Sequence, residues 1–223
     1  MPKVRREGRI VYIRKKNTEG NTQSGERTAD GKPVSSILGE KVMQTPFKDW
    51  DDLELIERLQ WVNMNYKSGA MEWTENCQRC VMATEMMMRG YDVEARPTAK
   101  NDVYSLFLMH NEQFKGQQWT AREELGKTKK TVLKNIVEMV KSWGDGARGM
   151  VVLRWQGTAW GHILNVVNRG GEVLFVDGQN SKIEEANSTQ WWQYTKPSYT
   201  RISRVDNLEP WEMHLEKTTR RST

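Results

Sequence analysis

Cys77 and Cys80, in the run TENCQRCVMATEMMMRGYDV (74–93), are the 2 cysteines of a 223-residue chain. Metal binding, disulfide redox chemistry and nucleophilic catalysis all use such a pair, and so does simple packing. A structural zinc site needs four ligands, of which CxxC supplies two. No second CxxC follows, and His110, His162 and His214 are isolated, without ligand spacing. A thioredoxin-like pair should follow a strand in a βαβ context, whereas a helical segment and a loop precede this one. Asn76 is a favourable N-cap residue. As a cap it puts Cys77 at the first helical position and Cys80 at the fourth. A first-turn thiol faces free backbone N–H groups and the positive end of the helix dipole. Both favour the thiolate, which is the nucleophilic form. The dipole effect fades within the first turn, so it favours Cys77.

A nucleophilic thiolate needs a base, and WGHILNVVNRGGEVLFVDGQN (160–180) offers one. Two apolar runs flank NRGG, a hairpin pattern. With Arg169 and Gly170 at the turn centre, His162 lies directly opposite Asp177. Their Cβ atoms are then roughly 4.5–5.5 Å apart, within reach of an imidazole–carboxylate hydrogen bond. With Gly170 and Gly171 at the centre, His162 lies opposite Gln179 instead. Either residue can orient the ring so that its other nitrogen meets a thiolate. Alternation puts Leu164, Val166, Val173 and Phe175 on the same face, so His162 ends an apolar face that a helix can cover. His110 and His214 have no such partner signal and are read as structural or exposed.

These residues need a scaffold. The polar, Gly/Ser/Thr-rich stretch from 1 to 44 reads as a basic, disordered arm in which only RIVYI has strand character. TPFKDWDDLELIERLQWVN predicts a helix over 48–62, with Thr45 as cap, Pro46 in the first turn, and Trp50, Leu53, Ile56 and Leu59 at helical spacing. The cysteine helix runs from Asn76 to Gly90, a C′ glycine, with Met86–Met88 as core filling. YDVEARP reads as a strand ending at Pro97. A helix from Lys130 to Trp143 follows, then the strands GMVVLRW, HILNVV, EVLFVD and YTRISRV. Helices first and consecutive strands after them indicate an α+β fold, with helices packed on an antiparallel sheet.

Composition sets the outer bounds. Charged residues make up 28% of the chain, and no run approaches the roughly 18 apolar residues of a membrane span, so a soluble protein without membrane contact is expected. The first residues are basic but lack an apolar core, so no secretory signal is expected, and the thiols should be reduced in a cytoplasm. The net charge of +5 is concentrated in the first residues, a solvated tail with possible use as a nucleic-acid or capsid contact. Ten tryptophans suit a core and a groove.

NCQRCVMATEMMMRGYDVEARP followed by GHILNVVNRGGEVLFVDGQ resembles the papain-fold toxin domains, glutamine deamidases or cysteine peptidases, of bacterial polymorphic toxins and phage head-morphogenesis proteins. The similarity covers about residues 60–210, including VNMNYKSG and SRVDNLEP. It implies a papain-like domain over 45–216 with a short tail at 217–223, no cofactor, and a Cys–His–Asp site acting on a protein substrate, with deamidation of glutamine preferred to proteolysis. An immunity or assembly partner would accompany such a domain. His162 and Asp177 carry over directly. Papain's own signature places the nucleophile second in its CxxC, which favours Cys80, while related groups place it directly after an Asn-like cap, which favours Cys77. Asn76, Gln78 and Gln179 are the supporting or oxyanion candidates. A non-catalytic virion or nucleic-acid-associated protein that keeps the fold, and a zinc-binding module, are the alternatives.

Overall fold

In the computed structural model, residues 3–6, 9–12, 25–99 and 112–222 are described; His110 lies outside them. Strands β1 (Lys3–Arg6) and β2 (Arg9–Tyr12) form an antiparallel pair that includes the expected RIVY strand. The arm expected over 1–44 is shorter at its C-terminal side. Residues 25–44 pack: helix α1 (Val34–Leu38) buries Val34 and Leu38, and Met43 joins the same core. Glu26 pairs with Arg89 and with Lys41. The stretch is polar overall, but its few apolar side chains are the ones buried.

The helix predicted from residue 48 starts later. Phe47–Asp49 form a 3₁₀ turn, and α2 spans Asp52–Val62. Its cap is Asp51, not Thr45: the Asp51 carboxylate accepts the Glu54 N–H at 2.7 Å. Leu55, Leu59 and Val62 face the core, whereas Leu53 is 58% exposed. Steps of three residues, as from Trp50 through Leu59, drift around a helix of 3.6 residues per turn, while alternating steps of four and three hold one face.

After α3 (Met71–Thr74) comes the cysteine helix α4 (Cys77–Met88), buried along its whole length. Arg89 closes it, and Gly90 follows with φ +100°. A Cβ at Gly90 would lie 2.9 Å from the Met43 carbonyl oxygen, so glycine is required there on two counts. Burial on all sides brings polar residues inward. Glu85, 0% exposed, binds Arg89 at 2.8 Å and Arg148 through both carboxylate oxygens at 3.0 Å. Glu85→Ala leaves two guanidinium groups without their shared anion in a dry core and is expected to cost about 3–5 kcal/mol. Denaturant unfolding of the variant checks this.

Strand β3 (Val93–Ala95) precedes helices α5 (Arg122–Leu125) and α6 (Lys129–Ser142), the latter opened by a Thr128–Thr131 capping box. Then come β4 (Arg148–Arg154), β5 (Gly161–Arg169), β6 (Glu172–Asp177), β7 (Lys182–Glu185) and β8 (Arg201–Arg204). They form a 5-stranded antiparallel sheet in the order β7-β6-β5-β4-β8. The chain ends with α7 (Glu212–Thr218) and β9 (Thr219–Arg221), which pairs antiparallel with β3. The expected tail at 217–223 is therefore largely structured: β9 pairs with β3, and Arg220 binds the buried Glu94 at 2.8 Å.

The sheet separates two cores. On one face Met150, Ile163, Val167, Leu174 and Val176 pack with α4. On the other, Val151, Leu153, Leu164, Val166, Val173 and Phe175 pack with Val132, Ile136 and Val140 of α6. The helix that covers the His162 face is thus α6, and the cysteine helix lies on the opposite side. This is the α+β arrangement, helices packed on an antiparallel sheet, that the residues indicate. Among the described residues no helix is long and apolar enough to cross a membrane.

Candidate active site

The β5–β6 turn decides between the two hairpin registers. Arg169 pairs with Glu172, so Gly170 and Gly171 are the turn centre, with φ +61° and +85°. A two-residue hairpin turn of this kind needs positive φ at both central positions, which two glycines supply without strain and Arg169 would not. Asp177 is therefore not directly opposite His162 but diagonal to it on the same face. The diagonal still suffices for this pair: His162 Nε2 lies 2.8 Å from Asp177 Oδ2. The register that places Asp177 directly opposite is corrected, and the side-chain pair survives the correction.

Asp177 is itself held. Its Oδ1 accepts the Gln179 backbone N–H at 3.0 Å, and its Oδ2 also accepts Asn180 Nδ2 at 2.9 Å. The DGQN run is a local turn in which the aspartate caps its own loop. Gln179 does not orient His162: its Nε2 donates to the Thr74 carbonyl at 2.9 Å.

His162 reaches Cys77 with the other side of its ring. The Cys77 sulfur is close enough to act on the ring, both residues line one cleft, and Nδ1 is the nitrogen left after Nε2 engages Asp177. Burial alone would lower the imidazole pKa. The Asp177 carboxylate and then the Cys77 sulfur outweigh burial and hold it well above the ordinary histidine range. An imidazolium is thus favoured between the carboxylate and the sulfur. Trp155 stacks on the ring at 6.2 Å and 21° between planes, limiting its rotation.

The two cysteines differ. Cys77 begins α4 and lines the cleft with His162; Cys80 is 1% exposed in the α4 core. Burial first, then Asp177 and Cys77, push the Cys80 thiol well above its usual value, which keeps it protonated. Asn76 occupies the cap position but its side chain makes no capping bond. Its amide is instead paired reciprocally with Asn63 at 3.1 and 3.2 Å and donates to the Arg96 carbonyl. The cap expected of Asn76 is corrected: a buried partner from α2's end competes for the same amide, and the first-turn N–H groups are left uncapped by it. Gln78 lines the cleft, and its Oε1 has no hydrogen-bond partner among the described residues.

The cleft has a volume of about 1590 Å³. Trp119, Trp155, Trp160, Trp191 and Tyr199 line it, so part of the tryptophan excess forms a groove; Trp50 and Trp192 are buried in the cores. His214 is buried on α7, and burial lowers its pKa against a hydrogen bond to the Glu112 backbone that raises it. Among the described residues no group of three or more His, Cys, Asp or Glu side chains is placed to hold a metal ion. Sequence reasoning missed Asn63, Asn180 and Trp155. The Asx-turn character of DGQN would have pointed to Asn180; no local signal marks the other two.

Residues 75–182 match the model of a protein family, papain fold toxin 1, glutamine deamidase. None of the curated proteins matches the chain. Among solved structures it is similar to the Salmonella effector SpvD, in its G161 variant, at 11% identity and TM-score 0.46, over 74% of this chain and 83% of that one.

Proposed function

We propose, from a papain-fold toxin domain of the glutamine deamidase family over residues 75–182, that this protein hydrolyses the side-chain amide of glutamine in a protein substrate. The observation that carries the reading is one imidazole held between Asp177 and the cleft-lining cysteine at a helix N-terminus.

Cys77 is the nucleophile. Its thiolate is stabilised by the His162 imidazolium and the free N–H groups of the first turn of α4. It attacks the glutamine Cδ, and the carbonyl oxygen becomes an oxyanion. The backbone N–H of Cys77, at the start of α4, and the side-chain amide of Gln78, which lines the cleft, are the candidates to receive that charge. Asn76 is not one of them, since its amide is consumed by Asn63 and Arg96. His162 then gives its proton to the leaving nitrogen, the C–N bond breaks, and ammonia departs from a thioester. Water attacks the thioester while neutral His162 takes its proton, and glutamate and the Cys77 thiolate are released. Asp177 holds the ring in one orientation and stabilises its charged form throughout.

The test uses glutamine-containing proteins and peptides as substrates. Ammonia release should match a mass increase of about 1 Da per converted side chain, the replacement of NH₂ by OH that this chemistry requires. Backbone cleavage in place of ammonia would redirect the assignment to proteolysis by the same dyad. Neither product from any substrate would count against the enzymatic reading.

A further inference from the structure

Three chain segments meet behind Cys77: the end of α2, the residues just before α4, and the loop after β6. Asn63 joins all of them. Its Nδ2 donates to the carbonyl oxygens of Trp73 at 2.9 Å and Gln179 at 2.8 Å, and to Asn76 Oδ1 at 3.2 Å. Three acceptors share two hydrogens, so one N–H is bifurcated. Asn76 Nδ2 returns a bond to Asn63 Oδ1 at 3.1 Å. Both residues are nearly inaccessible, at 2% and 0% exposure. The Gln179 side chain adds a parallel tie to the Thr74 carbonyl at 2.9 Å.

The acceptors are what make this cluster more than local packing. Asn76 immediately precedes Cys77. Gln179 lies two residues after Asp177, and its N–H is bound to the Asp177 carboxylate. The nucleophile comes from a helix on one side of the sheet and the base from a strand face on the other, so their spacing is not fixed by any one element. We propose that Asn63 is a positioning residue that sets the distance between Cys77 and the His162–Asp177 pair by bolting the start of α4 to the loop after β6. The inference rests on Cys77 being the nucleophile. It goes beyond that reading in naming what holds the site closed, a residue that touches neither sulfur nor imidazole.

The physical effect follows from distance. A thiolate is stabilised by an adjacent imidazolium through a Coulomb attraction and a hydrogen bond, and both weaken as the groups separate. Asn63→Ala would take this donor from two backbone carbonyls and from Asn76 Oδ1 in a buried space, leaving the Asn76 amide only its bond to the Arg96 carbonyl, and the segments would separate or admit water. The titratable groups acting on this corner are His162 and Asp177 from the sheet and Cys80 and Arg79 from α4 itself. Asn63 is neutral, so its loss alters their geometry and adds no charge.

The experiment is the rate of alkylation by iodoacetamide at neutral pH, read separately for each cysteine by mass spectrometry, with steady-state ammonia release from a glutamine peptide. The variants are Asn63→Ala, Asn63→Leu, which keeps most of the volume, and Gln179→Ala, which removes only the parallel tie. In the wild type Cys77, which lines the cleft, should alkylate much faster than Cys80, which the core holds protonated. In both Asn63 variants the Cys77 rate should fall, with kcat down roughly tenfold to a hundredfold and KM within about twofold. Gln179→Ala should slow it the same way by less. A purely structural Asn63 would lower the melting temperature and leave the Cys77 rate in place, which overturns the inference. If neither Asn63 variant folds, an unchanged Cys77 rate in Gln179→Ala overturns it instead. A wild type in which Cys77 alkylates no faster than Cys80 overturns the nucleophile assignment, and this inference with it; a wild type in which it does, with variants that keep the rate, overturns this inference alone.

Discussion

Cys77→Ala is expected to reduce ammonia release to background, a loss on the order of a million-fold if the thiolate carries the covalent step, as removal of a nucleophile does elsewhere. Cys80→Ala should keep activity within a few-fold. The contrast is the informative part, because the two thiols lie one turn apart on one helix and differ in what surrounds them. Cys77 has the imidazole and the cleft; Cys80 has a dry core that holds it protonated. The Cys80 substitution should instead appear as a loss of about 1–2 kcal/mol in stability from the vacated sulfur. That corresponds to a melting temperature lower by roughly 2–8 °C in a domain of this size. The reverse pattern, an inactive Cys80→Ala and an active Cys77→Ala, would transfer the nucleophile to the second cysteine.

Asp177→Asn should be the next largest effect. It keeps the shape of the side chain but removes the charge that outweighs burial at His162. The imidazole pKa then falls, since burial is the opposing influence left largely uncompensated. Activity should drop by roughly 10²–10⁴-fold, the span of general acid–base catalysis. The residual rate should carry a signature. In the wild type the alkaline limb of the pH–rate profile reflects loss of the imidazolium, and Asp177→Asn should move that limb to lower pH and narrow the bell. A limb that stays in place would mean that Asp177 does not control the ring. Stability follows the same linkage. A histidine whose folded pKa is raised contributes stability that is fully present below its unfolded value of about 6.5 and is lost as pH rises through the folded value. The difference in unfolding free energy between wild type and Asp177→Asn should therefore be largest at the acid end of that window and shrink toward higher pH. Denaturant titrations at a series of pH values measure it.

The residues doing the chemistry were more legible than the contacts that place them. His162 and Asp177 stand in a strand pair whose turn is written as two glycines, and a shift of two residues in register kept both on one face. Either register therefore leads to the same candidate acid–base pair. The helix at Cys77 was legible from its apolar run and its terminal Gly90. Asn76 misled because cap propensity describes an amide with no better partner. Here Asn63, 13 residues earlier in sequence, binds it, and no local pattern encodes a contact between a helix end and a helix start. Residues 25–44 misled for a related reason. Their composition is that of an arm, yet Val34, Leu38 and Met43 are buried and Glu26 serves the Arg89 network. Averages over a window hide which few side chains meet a partner. Glu85 was hidden as well, because a carboxylate inside a helix reads as a solvent-facing position until the arginines around it are known.

The two-sided sheet has a consequence for how this protein would fail. Cys77 is anchored in the core under α4, and His162 stands on the face packed by α6. The reaction therefore depends on a logical conjunction: both layers must be intact at once, and either one alone holds only half of the chemistry. Loosening the α6 layer, far from the sulfur, would silence the cysteine without altering it, just as loosening α4 would strand the imidazole. Catalytic lifetime under heat or denaturant is then governed by the weaker of two layers and not by the stability of the whole. Activity should vanish before the bulk of the helical signal does, and it serves as a sensor of whether the two halves still agree on their alignment.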